Sequence, residues 1–588
     1  MDFSIQNNKV LLDGIETQIR SGAIHYFRTL PEQWEDRLLK LKQCGYNTVE
    51  TYAAWHLHEL KEGDFDFSGR LDIVQFIRTA AKLGLMAIVR PGPYICSECD
   101  LGGLPGWLLG KPGIRLRCEN AVFMKYTERF FSKILPLLAP LQCTNGGNII
   151  AMQVENEYAS FASDHEYMRH LVRIFRKNGI NVQLFTSDNE KRLLRAGTLP
   201  ELPATFNFRN HPERNFRDFD AIDTGYANAH FAMELWNGKA WFWGVAPQHH
   251  DEQDVAADMR EIMKDNASVN NFMFHGGTNF GFTSGASCNA GHYLPLVTSY
   301  EVDGVLDEGG NCGKKYFAIQ KVIEEFHPGT TAVPAASSGA ALPPVELKEF
   351  VSLRDSLDKL SRAEQRPFPE TMEHFGQSFG FIHYETELQP YHSGEYCFHD
   401  LRDRAITFLN GKVIGITSRE DEKQTIQLDV TEENSRLEIL VENMGRVNYG
   451  LEMEKEKKGI TGFSWTGNMF ISNWNIHPLP LDDLSKLEFG KLPGSCDEPG
   501  FYRGKFDADQ ITDTYLLFPA GGRGCVYVNG FNLGRYWNIG PQRTLYIPSP
   551  LLKKENNEIV VFELHALTSY TLSFAAERKS DPMTPIPL

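Results

Sequence analysis

Asn148-Ile-Ile-Ala-Met-Gln-Val-Glu-Asn-Glu-Tyr158 is the stretch on which the reading of this chain turns. Its front half, with Ile149, Ile150 and Met152, is an apolar run of strand length, and its back half delivers Gln153, Glu155, Asn156 and Glu157 in quick succession. Strand alternation puts Gln153, Glu155 and Glu157 on one side, so three polar groups are expected to converge at the strand's C-terminal end. Buried carboxylates without partners are costly, which makes a solvated functional cleft the better account of that cluster.

Working outward, the same kind of run recurs at Gln18–His25, Asn47–Tyr52, Leu85–Arg90, Val182–Ser187, Ala204–Phe208, Phe231–Glu234 and Asn271–His275. Amphipathic helices fall between them. Pro31–Cys44 has Pro31 in its first turn and Trp34, Leu38 and Leu41 on one face, and Leu71–Leu83 stops at Gly84. Eight strands alternating with helices predict an α/β fold, a (β/α)8 TIM barrel over residues 1–327.

Pro328–Pro344 is rich in Pro, Ala, Gly and Ser without periodicity and reads as a linker, so 328–374 is taken as a linker and connecting segment. Beyond it, short alternating strands punctuated by Gly, Asn and Pro predict two all-β sandwich domains, jelly-roll-like, at 375–485 and 486–588. Phe408-Leu-Asn-Gly-Lys-Val-Ile-Gly415 is echoed by Tyr527-Val-Asn-Gly-Phe-Asn-Leu-Gly534, so the two sandwiches read as relatives.

The 588 residues, 42% of them hydrophobic, suffice for several cores, and the formal charge of −17 argues against nucleic acid as a partner. No run is long and apolar enough for a membrane span, and Met1–Gly14 lacks the basic-then-apolar pattern of a secretory leader. Ten scattered cysteines suit a reducing cytoplasm. Cys96 and Cys99 form a Cys-x-x-Cys pair without a second ligand pair, so no metal is assigned.

In a barrel of this kind reacting groups sit at the C-terminal ends of strands. Glu157 ends the fourth strand and Glu234 the seventh, and Glu234 is followed by Trp236, Trp241 and Trp243, the composition of a sugar subsite. Two carboxylates facing each other across a barrel mouth are what hydrolysis of a glycosidic bond requires. Carbohydrate is therefore the expected partner, and no step of that chemistry calls for a cofactor or metal.

Seven ordered motifs carry a resemblance. They are Ser21-Gly-Ala-Ile-His-Tyr26, Asn47-Thr-Val-Glu-Thr-Tyr52, Arg90-Pro-Gly-Pro-Tyr-Ile-Cys96, Gly102-Gly-Leu-Pro-Gly-Trp-Leu-Leu109, Gln153-Val-Glu-Asn-Glu-Tyr158, Phe274-His-Gly-Gly-Thr-Asn-Phe280 and Thr298-Ser-Tyr300. On these the chain resembles the retaining β-galactosidases of glycoside hydrolase family 35. The resemblance implies that Glu157 is the general acid/base, that Glu234 is the nucleophile, and that Asn156 bonds the sugar 2-hydroxyl. It also implies a galactose pocket formed by Tyr52, Cys96, Ser97, Glu98 and Tyr300, with Ser97 standing where alanine is usual. Trp236, beside the nucleophile, joins the candidate binding residues.

Several positions expected at the pocket mouth depart from the family pattern. His56 replaces Asn, Leu60 replaces Pro, Lys239 replaces Trp, and Glu301-Val-Asp-Gly304 replaces Asp-Tyr-Asp-Ala. The plainer expectation is that Trp241 takes over stacking while Lys239 points to solvent. His25 and His275 either touch sugar or tie loops together, and Arg90 is expected to pair with a carboxylate. The sandwiches are expected to pack on the barrel or to form a homodimer contact. The leading function is a retaining exo-β-galactosidase acting on terminal non-reducing β-D-galactose. The alternatives are a relative acting on another β-linked sugar (glucose, glucosamine) or transglycosylating, and a catalytically inactive carbohydrate-binding protein.

Overall fold

The computed structural model describes residues 1–581 apart from 7, 190–192, 227, 290, 302, 337–338, 468 and 495. Eight strands close into a barrel: β1 (Arg20–Ile24), β2 (Thr48–Tyr52), β3 (Met86–Arg90), β4 (Ile149–Gln153), β5 (Gln183–Asp188), β6 (Ala204–Phe208), β7 (Phe231–Trp236) and β8 (Ser268–His275). Each pairs in parallel with its neighbours in chain order, and β8 closes against β1. β2, β4 and β6 are buried from end to end, as parallel strands covered on both faces must be.

The outer helices begin where short polar side chains can satisfy free backbone donors. Asp72 accepts from the Gln75 amide at 2.8 Å to open Ile73–Lys82, and Asp164 accepts from the Tyr167 amide at 3.0 Å to open His165–Lys177. Pro31 opens Pro31–Gln43, and Trp34, Leu38 and Leu41 face the barrel wall from it. Between β5 and β6 the described residues hold only the four-residue helix Leu194–Gly197, so that unit is abbreviated.

The C-terminal third is antiparallel. One sheet runs Phe381–Leu388, Ser435–Glu442, Arg404–Leu409, Lys412–Ser418, and a second runs Gly500–Phe506, Asn557–Glu563, Arg523–Val528, Phe531–Trp537 in the matching order. The echoed motif is the hairpin of each. Asn410-Gly411 and Asn529-Gly530 adopt left-handed φ of 50° and 78°, and 51° and 81°, which a tight hairpin turn needs and which this residue pair supplies cheaply. Both hairpins also carry a bulge at the same step, between Thr407 and Phe408 and between Val526 and Tyr527.

Residues 328–374 are more structured than a connecting segment. Val345–Ser352 pairs with Gly500–Phe506, Leu353–Leu360 is a helix, and Glu364–Arg366 pairs with Trp474–Leu479. The reason is burial: Val345 and Leu347 enter the core of the second sandwich, together with Tyr502 and Ile559. The described residues of 328–344 lack helix and strand.

The sandwiches close onto the barrel through the loop that follows β3. Arg446, fully buried, donates from Nη1 to Asp100 Oδ2 at 2.7 Å and from its backbone amide to Asp100 Oδ1 at 2.6 Å, and its other nitrogens reach Glu373. Two residues on, Asn448 accepts the Tyr94 hydroxyl on its carbonyl at 2.7 Å and donates to Cys96 Sγ at 3.2 Å.

Candidate active site

The chain leaves β4 sharply. After Gln153 the strand ends, and Glu155 and Glu157 take left-handed φ of 61° and 47°, a conformation that costs non-glycine residues about 1–3 kcal/mol and so persists only where surroundings hold it. This departure corrects the alternation argument. Glu155 does not share the cleft: its carboxylate accepts from Arg117 Nε at 2.9 Å and Nη2 at 2.8 Å, with both side chains fully buried, and from the Tyr167 hydroxyl at 3.2 Å. Gln153 also stays behind the site and donates to Asn156 Oδ1 at 3.0 Å.

Glu157 is turned into a cavity of about 470 Å³ lined by Tyr52, Cys96, Ser97, Glu98, Asn156, Glu157, Arg209, Glu234, Trp236, Gly238, Lys239, Ala240, Phe242 and Phe272. Asn207 Nδ2 donates to Glu157 Oε1 at 3.0 Å, and the Glu157 amide donates to the Ser187 carbonyl at 3.0 Å. Burial first, and the charge of Glu234 second, push the Glu157 carboxyl up to about 8, against the opposing pull of Asn207 and Arg90. At neutral pH it therefore holds its proton.

Glu234 is held by different partners. Oε1 accepts from Arg90 Nη2 at 2.6 Å and the Tyr52 hydroxyl at 2.9 Å, and Oε2 accepts from Trp236 Nε1 at 2.9 Å. Three donors, one of them a fully buried guanidinium, converge on this side chain. A register shift in β7 between Ala232 and Glu234 aims this side chain and sets Glu234 opposite Asn207 of β6. One asparagine thus stands between the two acids, paired by backbone with one and bonded by side chain to the other.

Asn156 Oδ1 accepts from Arg90 Nη2 at 2.5 Å, Gln153 Nε2 at 3.0 Å and the Tyr52 hydroxyl at 3.4 Å, so the side chain has only N–H to offer the cavity. Cys96, Ser97 and Glu98 form a wall with three consecutive left-handed φ values of 54°, 51° and 48°. That wall is pinned from several sides. Arg28 donates to Ser97 Oγ at 2.8 Å and to its carbonyl at 2.5 Å, Asn448 reaches Cys96, and Tyr300 donates to Glu98.

Of the residues singled out from sequence, Tyr52, Cys96, Ser97, Glu98, Asn156, Glu157, Glu234 and Trp236 line the cavity together. Tyr300 does not line it and acts through Glu98, with the Arg28 guanidinium 3.5 Å from its ring centroid. His25 and His275 tie loops: His25 Nδ1 meets Arg28 Nη1 at 2.6 Å, and His275 Nδ1 meets the Asp307 carbonyl at 3.1 Å. Arg90 has the carboxylate partner expected of it.

The positions grouped as a departing pocket mouth scatter. Lys239 is exposed yet lines the cavity's rim, whereas Trp241 lies outside it, beneath the Arg578 guanidinium at 4.4 Å and edge-on to His249. The expectation that Trp241 takes over stacking is therefore corrected; Arg578 and His249 occupy its ring. His56 is buried against Phe379, its imidazole pushed down to about 3 by burial, and Leu60 stands on the surface. Glu301 is ion-paired to Arg578 at 2.5 Å, and Val302 lies outside the described residues.

Sequence reading missed Asn207, Arg209, Phe242 and Phe272. Asn207 and Arg209 flank the C-terminal end of β6, a strand whose position was already legible, so the rule that reacting groups gather at strand ends applied to them as it did to Glu157.

The sequence model of glycosyl hydrolases family 35 matches residues 9–326, a beta-galactosidase first all-beta domain matches 369–480, and a beta-galactosidase galactose-binding domain matches 499–557. The chain is 39% identical over 576 residues to beta-galactosidase-1-like protein 3 of Homo sapiens, covering 95% of this chain and 86% of that one. It is 37% identical over 599 residues to the beta-galactosidase of Bos taurus, covering 95% and 90%. Among solved structures, an exo-beta-1,4-mannosidase from Opitutaceae bacterium strain TAV5 aligns with a TM-score of 0.40 at 12% identity over 56% of this chain and 62% of that one.

Proposed function

The chain belongs to glycosyl hydrolases family 35 and is a glycoside hydrolase, and from that premise we propose that it removes terminal non-reducing β-D-galactose by double displacement with retention. The observation that carries this reading is the opposed setting of Glu157 and Glu234 on either side of Asn207. A carboxyl kept neutral by burial can protonate the departing glycosidic oxygen, and a carboxylate can attack the anomeric carbon. Attack consumes the charge on Glu234. The repulsion that helped hold the Glu157 proton then vanishes, its pKa falls, and it becomes the base that takes a proton from incoming water.

The remaining lining residues support a sugar. Trp236, Phe242 and Phe272 offer apolar faces, while Glu98 and the Asn156 amide offer an acceptor and donors for hydroxyls. A bounded cavity walled by the Cys96–Glu98 turn suits a chain-terminal residue better than an internal one.

Incubation with a 2-deoxy-2-fluoro-β-galactoside bearing a good leaving group should accumulate a galactosyl-enzyme, with the added mass located on the peptide containing Glu234. Label on another residue refutes the nucleophile, and no label together with direct formation of α-galactose refutes retention. Aryl β-galactoside, β-glucoside and β-glucosaminide compared side by side separate galactose from the other β-linked sugars.

A further inference from the structure

Arg209 and Lys239 line the same cavity as the two acids, on the loops that follow the adjacent strands β6 and β7. Arg209 Nη2 donates to the Gly238 carbonyl at 3.4 Å, which bridges the loops and holds the cations beside one another. Among the described residues neither has a carboxylate partner. Their proximity is felt: burial, and then the charge of Arg209, pull the Lys239 ammonium down, and burial pulls Arg209 down. Two like charges brought together at a cleft mouth repel one another in the free protein.

The acids around them are already committed. Glu98 takes the Tyr300 hydroxyl, Glu234 takes Arg90, Glu301 takes Arg578, and Asp303 takes Lys315 and His249. Glu157 holds its proton, and burial and the charge of Arg209 pull the His250 imidazole down. The rim is therefore a net positive spot in an acidic protein, and low-dielectric walls focus such a field.

Arg209 lies two residues beyond Asn207, whose amide holds the acid that protonates the leaving oxygen. Lys239 is exposed and Arg209 half-buried, whereas Ser97 of the Cys96–Glu98 wall is buried, so the cations stand at the open rim of the cavity, the side by which an aglycone would leave. Resting on the galactosidase reading above, the geometry points to Arg209 and Lys239 as a subsite for an anionic aglycone: a saccharide carrying a sulfate or carboxylate next to the scissile bond.

The test compares kcat/KM for β-galactosyl-N-acetylglucosamine, its 6-sulfated form and a β-galactosyl-glucuronate, with an aryl β-galactoside as gauge. The sulfated or carboxylated substrate should lead the neutral one by roughly five- to thirtyfold, the range for one or two charge-assisted contacts at a half-open site. The ratio should shrink as salt rises from about 0.01 M to about 1 M. It should fall partway in Lys239→Gln, a surface change the fold tolerates, and towards one in Arg209→Gln/Lys239→Gln. Whichever anion leads identifies the group. An enzyme that cleaves the aryl galactoside but treats all three disaccharides alike, or keeps its preference through both substitutions and high salt, overturns this inference and leaves the galactosidase reading standing. A chain that leaves every galactoside intact overturns both.

Discussion

Replacing Glu234 by Gln removes one negative charge and alters almost nothing in shape, so it isolates the repulsion that Glu234 exerts on Glu157. Burial and that repulsion are the two leading causes that push the Glu157 carboxyl up to about 8. At the separation of about 5 Å that the proposed double displacement calls for, and with an effective dielectric near 20, the repulsion would be about 3 kcal/mol, or about two pKa units. Arg90, with Glu50 still 3.9 Å from its guanidinium, continues to pull the Glu157 carboxyl down. Glu157 should titrate about two units lower in Glu234→Gln than in the wild type. The sign is fixed, since removing a like charge favours the ionised carboxyl. The assay is a carboxyl-carbon NMR titration of glutamate-labelled protein, with the Glu157 signal assigned by its loss in Glu157→Gln. The reasoning fails if the Glu157 midpoint moves upward or does not move.

Tyr52→Phe deletes a hydroxyl that donates to Glu234 at 2.9 Å. That donor matters most when Glu234 departs from the sugar as a carboxylate, so the variant should show a burst of aryl product and a steady-state kcat lower by roughly ten- to a hundredfold, the worth of a hydrogen bond to a charged group; a loss confined to KM would contradict this. Arg117→Met strands Glu155 in the core, and chemical denaturation should register a loss of about 3–5 kcal/mol that the double change Arg117→Met/Glu155→Met largely restores. Equal stability of Arg117→Met and wild type would show that the pair is not what holds the turn after β4.

The eight strands and both acids were legible because each strand is a short apolar run and each acid stands where such a run breaks off. What was not legible depends on backbone geometry beyond the strand. Alternation assumes an extended chain, and the left-handed residues Glu155 and Glu157 end that assumption, sending one glutamate to Arg117 and the other to the cavity. Lys239 and Trp241 are two positions apart in the same loop, and only the fold shows that the cation is at the rim while Arg578, from the far end of the chain, covers the indole. Residues 345–352 alternate clearly, but their sheet partner begins about 150 residues later, so nothing local announced the pairing.

Arg446 and Asn448 belong to the region of the sandwiches, yet they fasten the loop from Tyr94 to Asp100 that walls the cavity. Glu157 and Glu234 reside wholly within the barrel. The two carboxyl groups are thus encoded in one part of the chain while the rigidity of the cavity wall facing them is supplied by another. A barrel excised on its own would keep its reacting groups and lose its grip. Heating or denaturant that loosens only the sandwiches should silence the enzyme before the barrel melts, so activity reports on the integrity of both parts of the chain.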